Sequence, residues 1–81
     1  MNELNMPVSD RELDVSGLKC PMPILRTKKA LAEMASGEVL EIRATDPATK
    51  DDLLAFSRQT GHVLLQCMET DACLVFYLKR K

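Results

Sequence analysis

Two stretches of helical periodicity interrupt stretches of strand-like alternation in this chain of 81 residues. Alternating apolar and polar residues are typical of a half-buried strand, whereas apolar residues three and four positions apart indicate an amphipathic helix. The pattern predicts strand, helix, strand, helix, strand, strand over residues 11–15, 21–35, 39–45, 46–61, 63–69 and 72–79. This order favours an α/β fold, a two-layer sandwich with a four-stranded mixed sheet and two helices on one face.

Prolines and glycines mark the predicted helix ends. Pro21 suits the first turn of the first helix, because its missing N–H costs nothing there. Asp46 followed by Pro47 suits the start of the second helix, with Asp46 as the N-cap. Gly37 and Gly61 are placed to end the two helices in left-handed turns. In the first helix Ile24, Lys28, Leu31 and Ala35 fall on one stripe.

The connections between strands determine which loops meet. Strands joined by a helix are normally parallel, with a right-handed crossover. Cys20 and Asp46 follow the first two strands, so we expect them at the same pole of the sheet. If the third strand is also parallel, the turn at Thr70-Asp71 joins them there, and His62 lies at the opposite pole.

Length and composition limit the classes of protein. A chain this short forms one domain, residues 11–81, preceded by a flexible tail, residues 1–10. Eleven basic and twelve acidic residues nearly cancel, and Tyr and Phe total three, which disfavours direct nucleic-acid binding. No stretch approaches the roughly 18 apolar residues of a membrane span, and the N-terminus lacks a secretory signal. We therefore expect a cytoplasmic protein.

The three cysteines do not form a disulfide or metal-binding pattern. Cys20, Cys67 and Cys73 are odd in number and contain no Cys-x-x-Cys pair, and His62 is the single histidine. Reduced thiols without a structural metal are therefore expected. Cys67 and Cys73 straddle the predicted hairpin turn and should face each other across it, as ordinary strand residues or as resolving thiols for Cys20.

Cys20 stands directly before the first helix, in the segment Lys19-Cys20-Pro21-Met22-Pro23. Free N–H groups and the macrodipole at a helix N-terminus lower the pKa of a thiol there. The prolines stiffen the backbone around the sulfur. We interpret Cys20 as a reactive thiol; the alternative is a cysteine that packs as a small apolar residue. The basic residues nearest in sequence are Lys19, Arg26, Lys28 and Lys29.

A cysteine hydrolase is disfavoured, because its nucleophile needs a base within hydrogen-bond reach. The single histidine, His62, is expected at the far pole. Exchange of sulfur with the persulfide of a partner needs no such base.

The motif around Cys20, a helix, and then Asp46-Pro47-Ala48-Thr49 resemble the TusA/SirA-like sulfur-carrier family, over about residues 12–80. The resemblance implies a two-layer sandwich and a persulfide on Cys20. It implies a cysteine desulfurase or a rhodanese-type protein as sulfur donor and a downstream sulfur-accepting protein, toward tRNA 2-thiouridine formation or another sulfur pathway. It implies a carrier without a cofactor rather than a stand-alone turnover enzyme.

The resemblance also suggests partner contacts. Asp46 matches an acidic position that the family places near the cysteine, and Lys28 and Lys29 match a basic pair on the first helix. Met22 departs from members that carry an acidic residue between the prolines. Alternatively, Asp46 is an N-cap only and the lysines are solvated. The candidate docking residues are Lys19, Lys28, Lys29 and Asp46, and the motif prolines at the helix start are Pro21 and Pro23.

Other interpretations remain open at this stage. A regulatory or RNA-binding module of the same fold would not need Cys20, whereas a redox sensor would pair it with Cys67 or Cys73. The last strand is apolar on both faces, so Val75 and Tyr77 are predicted to form an exposed docking patch, unless the strand is covered on both sides. The basic run at residues 79–81 is predicted to be a solvated tail.

Overall fold

The computed structural model describes residues 8–81, which form a two-layer α/β sandwich. The order of elements and the mixed sheet with two helices confirm the predicted fold class. The elements are β1 (Arg11–Asp14), α1 (Met22–Ala32), β2 (Val39–Ala44), α2 (Ala48–Thr60), β3 (Val63–Glu69) and β4 (Leu74–Lys79).

The N-terminal tail was predicted to cover residues 1–10, of which residues 1–7 lie outside the described part of the chain. Asp10 is already bonded to the sheet. Its N–H donates to the Val39 carbonyl at 2.8 Å, and its carboxylate accepts the Val39 N–H at 2.8 Å. The ordered backbone pairing therefore begins before the predicted boundary.

The sheet has the strand order β1-β2-β4-β3. β1 and β2 are parallel, and β4 is antiparallel to both β2 and β3. β3 consequently runs parallel to β1 and β2. The carboxyl ends of these three strands meet at one pole, so Cys20, Asp46 and the turn at Thr70-Asp71 lie there, as the crossover rule predicted.

The core lies between the sheet and the two helices. Alternate residues of paired strands, such as Ile42 opposite Phe76 and Leu40 opposite Leu78, point to this side and are fully buried. Burying each such side chain stabilises the fold by about 1.5–3 kcal/mol before the entropy of ordering it is counted. The remaining members of the core include Val15, Leu31, Leu53 and Phe56.

The predicted exposure of Tyr77 in a docking patch on β4 is wrong. β4 is a central strand, and Tyr77 is only 6% exposed, between Glu41 of β2 and Gln66 of β3. Val75 is half-buried. β4 is paired along both edges, and Tyr77 and its cross-strand neighbour Glu41 are both buried on the face away from the helices, so the centre of that face is not open to solvent.

The buried face of α1 differs from the predicted stripe. The buried positions are Pro23, Thr27, Ala30 and Leu31, whereas Lys28 is exposed. Thr27 can occupy a core position because its hydroxyl donates to the Pro23 carbonyl at 2.8 Å, which satisfies the only polar group on the side chain. A polar residue satisfied within its own helix is invisible to a pattern of apolar positions.

α1 also ends at Ala32, earlier than predicted, and Gly37 belongs instead to the turn before β2, with φ of 87°. A distant residue closes the helix: Arg80 Nε donates to the Leu31 carbonyl at 2.8 Å. The predicted solvated tail at residues 79–81 is therefore wrong at Arg80. The predicted end of α2 is confirmed, because Gly61 follows Thr60 with φ of 88°.

Two buried threonines yield a prediction about stability. Among the described residues, the Thr49 hydroxyl has no hydrogen-bond partner, whereas the Thr27 hydroxyl has one. We expect T27V to lower the free energy of unfolding by about 1 kcal/mol, the net value of a hydrogen bond. We expect T49V to leave it unchanged or to raise it by about 1 kcal/mol, because an unpaired buried hydroxyl is removed.

Urea denaturation of the two variants beside the wild type measures the difference. The substitutions are isosteric, so each serves as the packing control for the other. A larger loss of stability in T49V than in T27V would contradict the conclusion that the Thr49 hydroxyl is unpaired while the Thr27 hydroxyl is hydrogen-bonded.

Candidate functional site

The loop that carries Cys20 is fastened to the loop after β2. The Val15 N–H donates to the Arg43 carbonyl at 2.8 Å and extends the pairing of the two strands. Gly17 then turns with φ of 81°, and its N–H donates to the Thr45 hydroxyl at 2.8 Å. This left-handed conformation suits glycine. The bonds bring Cys20 beside the start of α2.

The carboxylate of Asp46 joins the two loops. Oδ2 accepts the Cys20 N–H at 3.0 Å, and Oδ1 accepts the Ala48 N–H at 3.1 Å, in the first residue of α2. These two N–H groups, followed by the charge of Lys19, outweigh desolvation and lower the pKa of Asp46. Pro47, not Asp46, stands at the N-cap of α2, so the N-cap prediction is wrong by one residue; Asp46 precedes the cap, bonds to the first residue of the helix and also holds the backbone of Cys20.

The thiol of Cys20 is exposed at the end of an open groove between α1 and α2, with a volume of about 260 Å³. Asp52, from α2, lines the same groove. The negative charge of Asp52 is the main cause that raises the pKa of Cys20, and desolvation and the negative charge of Asp46 act in the same direction. The sequence argument predicted a lowered pKa, and that expectation is wrong.

The helix start has few free donors for a thiolate. Pro21 and Pro23 have no N–H, and the Met22 N–H already donates to the Lys19 carbonyl at 2.8 Å. The Cys20 N–H is engaged by Asp46. The same prolines that identified the motif therefore weaken the effect of the helix N-terminus, and the nearby carboxylates dominate.

The predicted docking residues do not all lie together. Lys28 lines the groove with Cys20, and its Nζ lies 6.0 Å from the centre of the Phe56 ring. Lys19 lies on the other side of the loop, near Asp46. Lys29 is exposed but does not line the groove. The structure thus places Lys28 in the groove with Cys20 and Asp46 against the Cys20 backbone, and it leaves Lys29 apart.

Asp52 was missed as a site residue by the sequence argument. A signal was present, because Asp52, Ala55, Phe56 and Gln59 have helical spacing and all line the groove. Phe56 is buried in the core, and Asp52 stands one turn before it on α2. The sequence did not reveal that this stripe would face the start of α1.

The other two cysteines do not face each other, contrary to the prediction. Cys67 is opposite Phe76 and packs against the core, where burial is the main cause that raises its pKa. Cys73 lies in the hairpin turn, where its carbonyl accepts the Thr70 N–H at 2.9 Å. β3 and β4 pair Glu69 with Leu74, so residues 70–73 lie between the strands, and this register places Phe76 instead of Cys73 opposite Cys67.

The single histidine lies far from Cys20. His62 follows the end of α2, whereas Cys20 lies near its start, and a helix of 13 residues is about 20 Å long. The Nδ1 atom of His62 accepts the Lys81 N–H at 2.9 Å. Burial and then the charges of Arg80 and Lys81 lower the pKa of His62. It is not positioned to act as a base for the thiol.

Residues 8–81 contain neither a metal-ligand cluster nor a membrane-spanning helix. No group of three or more His, Cys, Asp or Glu residues in this range could hold a metal ion. No helix in the same range is long and apolar enough to cross a membrane.

Comparisons with known proteins identify the family of the chain. The family model described as sulfurtransferase TusA matches residues 11–80. A putative sulfur carrier protein of Neisseria meningitidis is 51% identical over 74 residues, which cover 91% of this chain and 100% of that protein. The sulfur carrier protein TusA of Allochromatium vinosum is 49% identical over 71 residues, which cover 88% of this chain and 93% of that protein.

A solved structure supports the same relationship. The crystal structure of a SirA-like protein from Desulfitobacterium hafniense has a TM-score of 0.76 and 25% identity, and the match covers 85% of this chain and 95% of that chain. Fold and site together define a small α/β protein that presents one exposed thiol before a helix. The chain belongs to the TusA family, as the resemblance predicted.

The ionised form of Asp46 should stabilise the folded state. Because its folded-state pKa is lowered, this contribution is present above the ordinary pKa of an aspartate and is lost as the pH falls through the lowered value. We expect the Tm of D46N to lie below that of the wild type at about pH 7, and the gap to close toward about pH 2.

Thermal unfolding followed by circular dichroism at a series of pH values tests this expectation. Asp14→Asn is the matched control, because its carboxylate also accepts a backbone N–H, that of Ser16, but does not join the Cys20 backbone to the start of α2. A gap between D46N and the wild type that stays constant on acidification would show that the charge of Asp46 is not responsible.

Proposed function

We propose that this protein is a sulfur carrier that holds a persulfide on Cys20 and relays sulfane sulfur between protein partners. The observation that carries the proposal is the way Cys20 is held. Its backbone is fixed by Asp46 at 3.0 Å, while its thiol stays exposed at an open groove. A fixed backbone with an accessible sulfur suits repeated transfer to and from the active sites of other proteins.

The transfer can be written without a base from this chain. The thiolate of Cys20 attacks the outer sulfur of the donor persulfide, and a new S–S bond forms at Cys20. The S–S bond of the donor breaks, and its electron pair leaves on the donor cysteine as a thiolate. A thiol of the acceptor then removes the same sulfur by the reverse exchange, and Cys20 returns to its starting state.

The surroundings of the thiol support a carrier rather than a stand-alone turnover enzyme. The groove is open, and His62 lies at the far end of α2. A carrier of this kind takes sulfur from a cysteine desulfurase or a rhodanese-type donor. It delivers sulfur in the cytoplasm to an acceptor protein, which sets the destination, whether tRNA 2-thiouridine formation or another sulfur pathway. The candidates for partner contacts are Lys28 in the groove, Lys19 and Asp46 near the loop of Cys20, and Lys29, which lies apart from the groove.

Sulfur loading provides the direct test. After incubation with a cysteine desulfurase, pyridoxal phosphate and cysteine, we expect wild type to gain one sulfur, about 32 Da, in a form that a reductant removes. C20S should fold normally and gain nothing, because the accepting sulfur is missing. Intact mass spectrometry measures the gain.

C67S and C73S are the matched controls, since Cys67 packs against the core and Cys73 lies in the hairpin turn. Both should load as wild type does. A rhodanese with thiosulfate as a second donor separates a wrong choice of donor from a failure to carry sulfur. A mass gain that persists in C20S would refute the persulfide on Cys20. A wild-type protein that gains no sulfur from either donor would refute it as well.

A further inference from the structure

A carboxylate from one helix faces the thiol at the start of the other. Asp52 of α2 and Cys20, which precedes α1, line the same groove. Asp52 is partly buried, and neither of the two ion pairs within residues 8–81 includes it. No cationic side chain of this range therefore holds the carboxylate away from the sulfur.

We propose that Asp52 is a positioning residue for the Cys20 thiol, and that its carboxylate, which lines the same groove, keeps the unloaded sulfur protonated. This inference rests on the proposed function, because it assigns a residue that sets how readily Cys20 accepts sulfur. It gives the unloaded carrier a thiol that is accessible but reacts slowly with unspecific electrophiles.

The other charged groups around the thiol do not reverse this effect. Asp46 adds a second negative charge, although its carboxylate is engaged by two backbone N–H groups. Lys28 lines the groove from α1 but lies over the Phe56 ring, and the charge of Lys19 acts on Asp46. Asp52 is the largest cause that raises the pKa of the thiol.

The role of Asp52 concerns the proton that must leave before transfer. Cys20 gives its proton to water, and the resulting thiolate attacks the outer sulfur of the donor persulfide. The donor thiolate that leaves takes up a proton, so the charge of Asp52 is the same before and after the step. Its negative charge disfavours the thiolate intermediate.

Removal of the Asp52 charge should accelerate attack by Cys20, although each thiolate then becomes less nucleophilic. A thiol whose pKa falls by one unit has about ten times more thiolate below its pKa, but each thiolate is about threefold less nucleophilic. The net gain is about threefold for each unit. The population of thiolate therefore outweighs its intrinsic reactivity near neutral pH.

The experiment uses the full chain with Cys67→Ser and Cys73→Ser, so that Cys20 is the only thiol. The rate of alkylation by iodoacetamide is measured from about pH 6 to about pH 10. Asp52→Asn removes the charge and keeps the size. Asp51→Asn is the matched control, because Asp51 is the adjacent exposed residue of α2 and does not line the groove. Asp52→Glu restores the charge.

We expect the rate profile of D52N to shift to lower pH, with faster alkylation near neutral pH, while D51N follows the parent and D52E returns toward it. Circular dichroism of each variant confirms that the fold is intact. A D52N profile that matches the parent, or an equal shift in D51N and D52N, would overturn the proposal, since contact with Asp52 would then not control the thiol.

Alkylation does not depend on sulfur loading, so the two proposals can fail separately. A shifted profile in a protein that no donor loads would leave Asp52 in its role and refute the persulfide carrier. Normal loading of the wild type on Cys20, together with an unshifted profile in D52N, would support the persulfide carrier and overturn the role of Asp52.

Discussion

The two-point contact of the Asp46 carboxylate is the interaction on which the site depends. One oxygen takes the Cys20 N–H and the other takes the Ala48 N–H, so a single side chain links the approach to α1 with the start of α2. Parallel strands bring the two loops to one pole, but strand pairing alone does not fix the position of a residue six positions beyond the end of β1. Asp46 supplies that link.

The hydrogen bond to Asp46 holds the backbone of Cys20 and leaves its sulfur exposed. Cys20 is thus presented rather than enclosed, at a groove whose walls come from both helices. The groove holds the side chains of Asp52 and Lys28, and the N–H groups of Cys20 and Met22 are already engaged. Asp46, which precedes α2, fixes the backbone of Cys20, whereas the role proposed for Asp52 of α2 concerns the reactivity of the thiol.

The sequence predicted the fold well, because periodicity and the crossover rule act over whole elements. The pole shared by Cys20 and Asp46 followed from strand direction alone. The buried face of α1 was misjudged because Thr27 satisfies its hydroxyl within the helix, and the end of α1 was misjudged because Arg80 closes it from 49 positions away. The shift in the pKa of Cys20 is upward, opposite to the predicted direction, because the rule about helix N-termini does not include a carboxylate from another helix.

The last residues of the chain are built into the end of the molecule opposite Cys20. Arg80 binds the end of α1, and the Lys81 N–H binds His62 after α2. A linker attached after Lys81 would therefore emerge on the side away from the thiol. The protein could be anchored to a surface, or fused to another domain, with its sulfur still directed outward to visiting molecules.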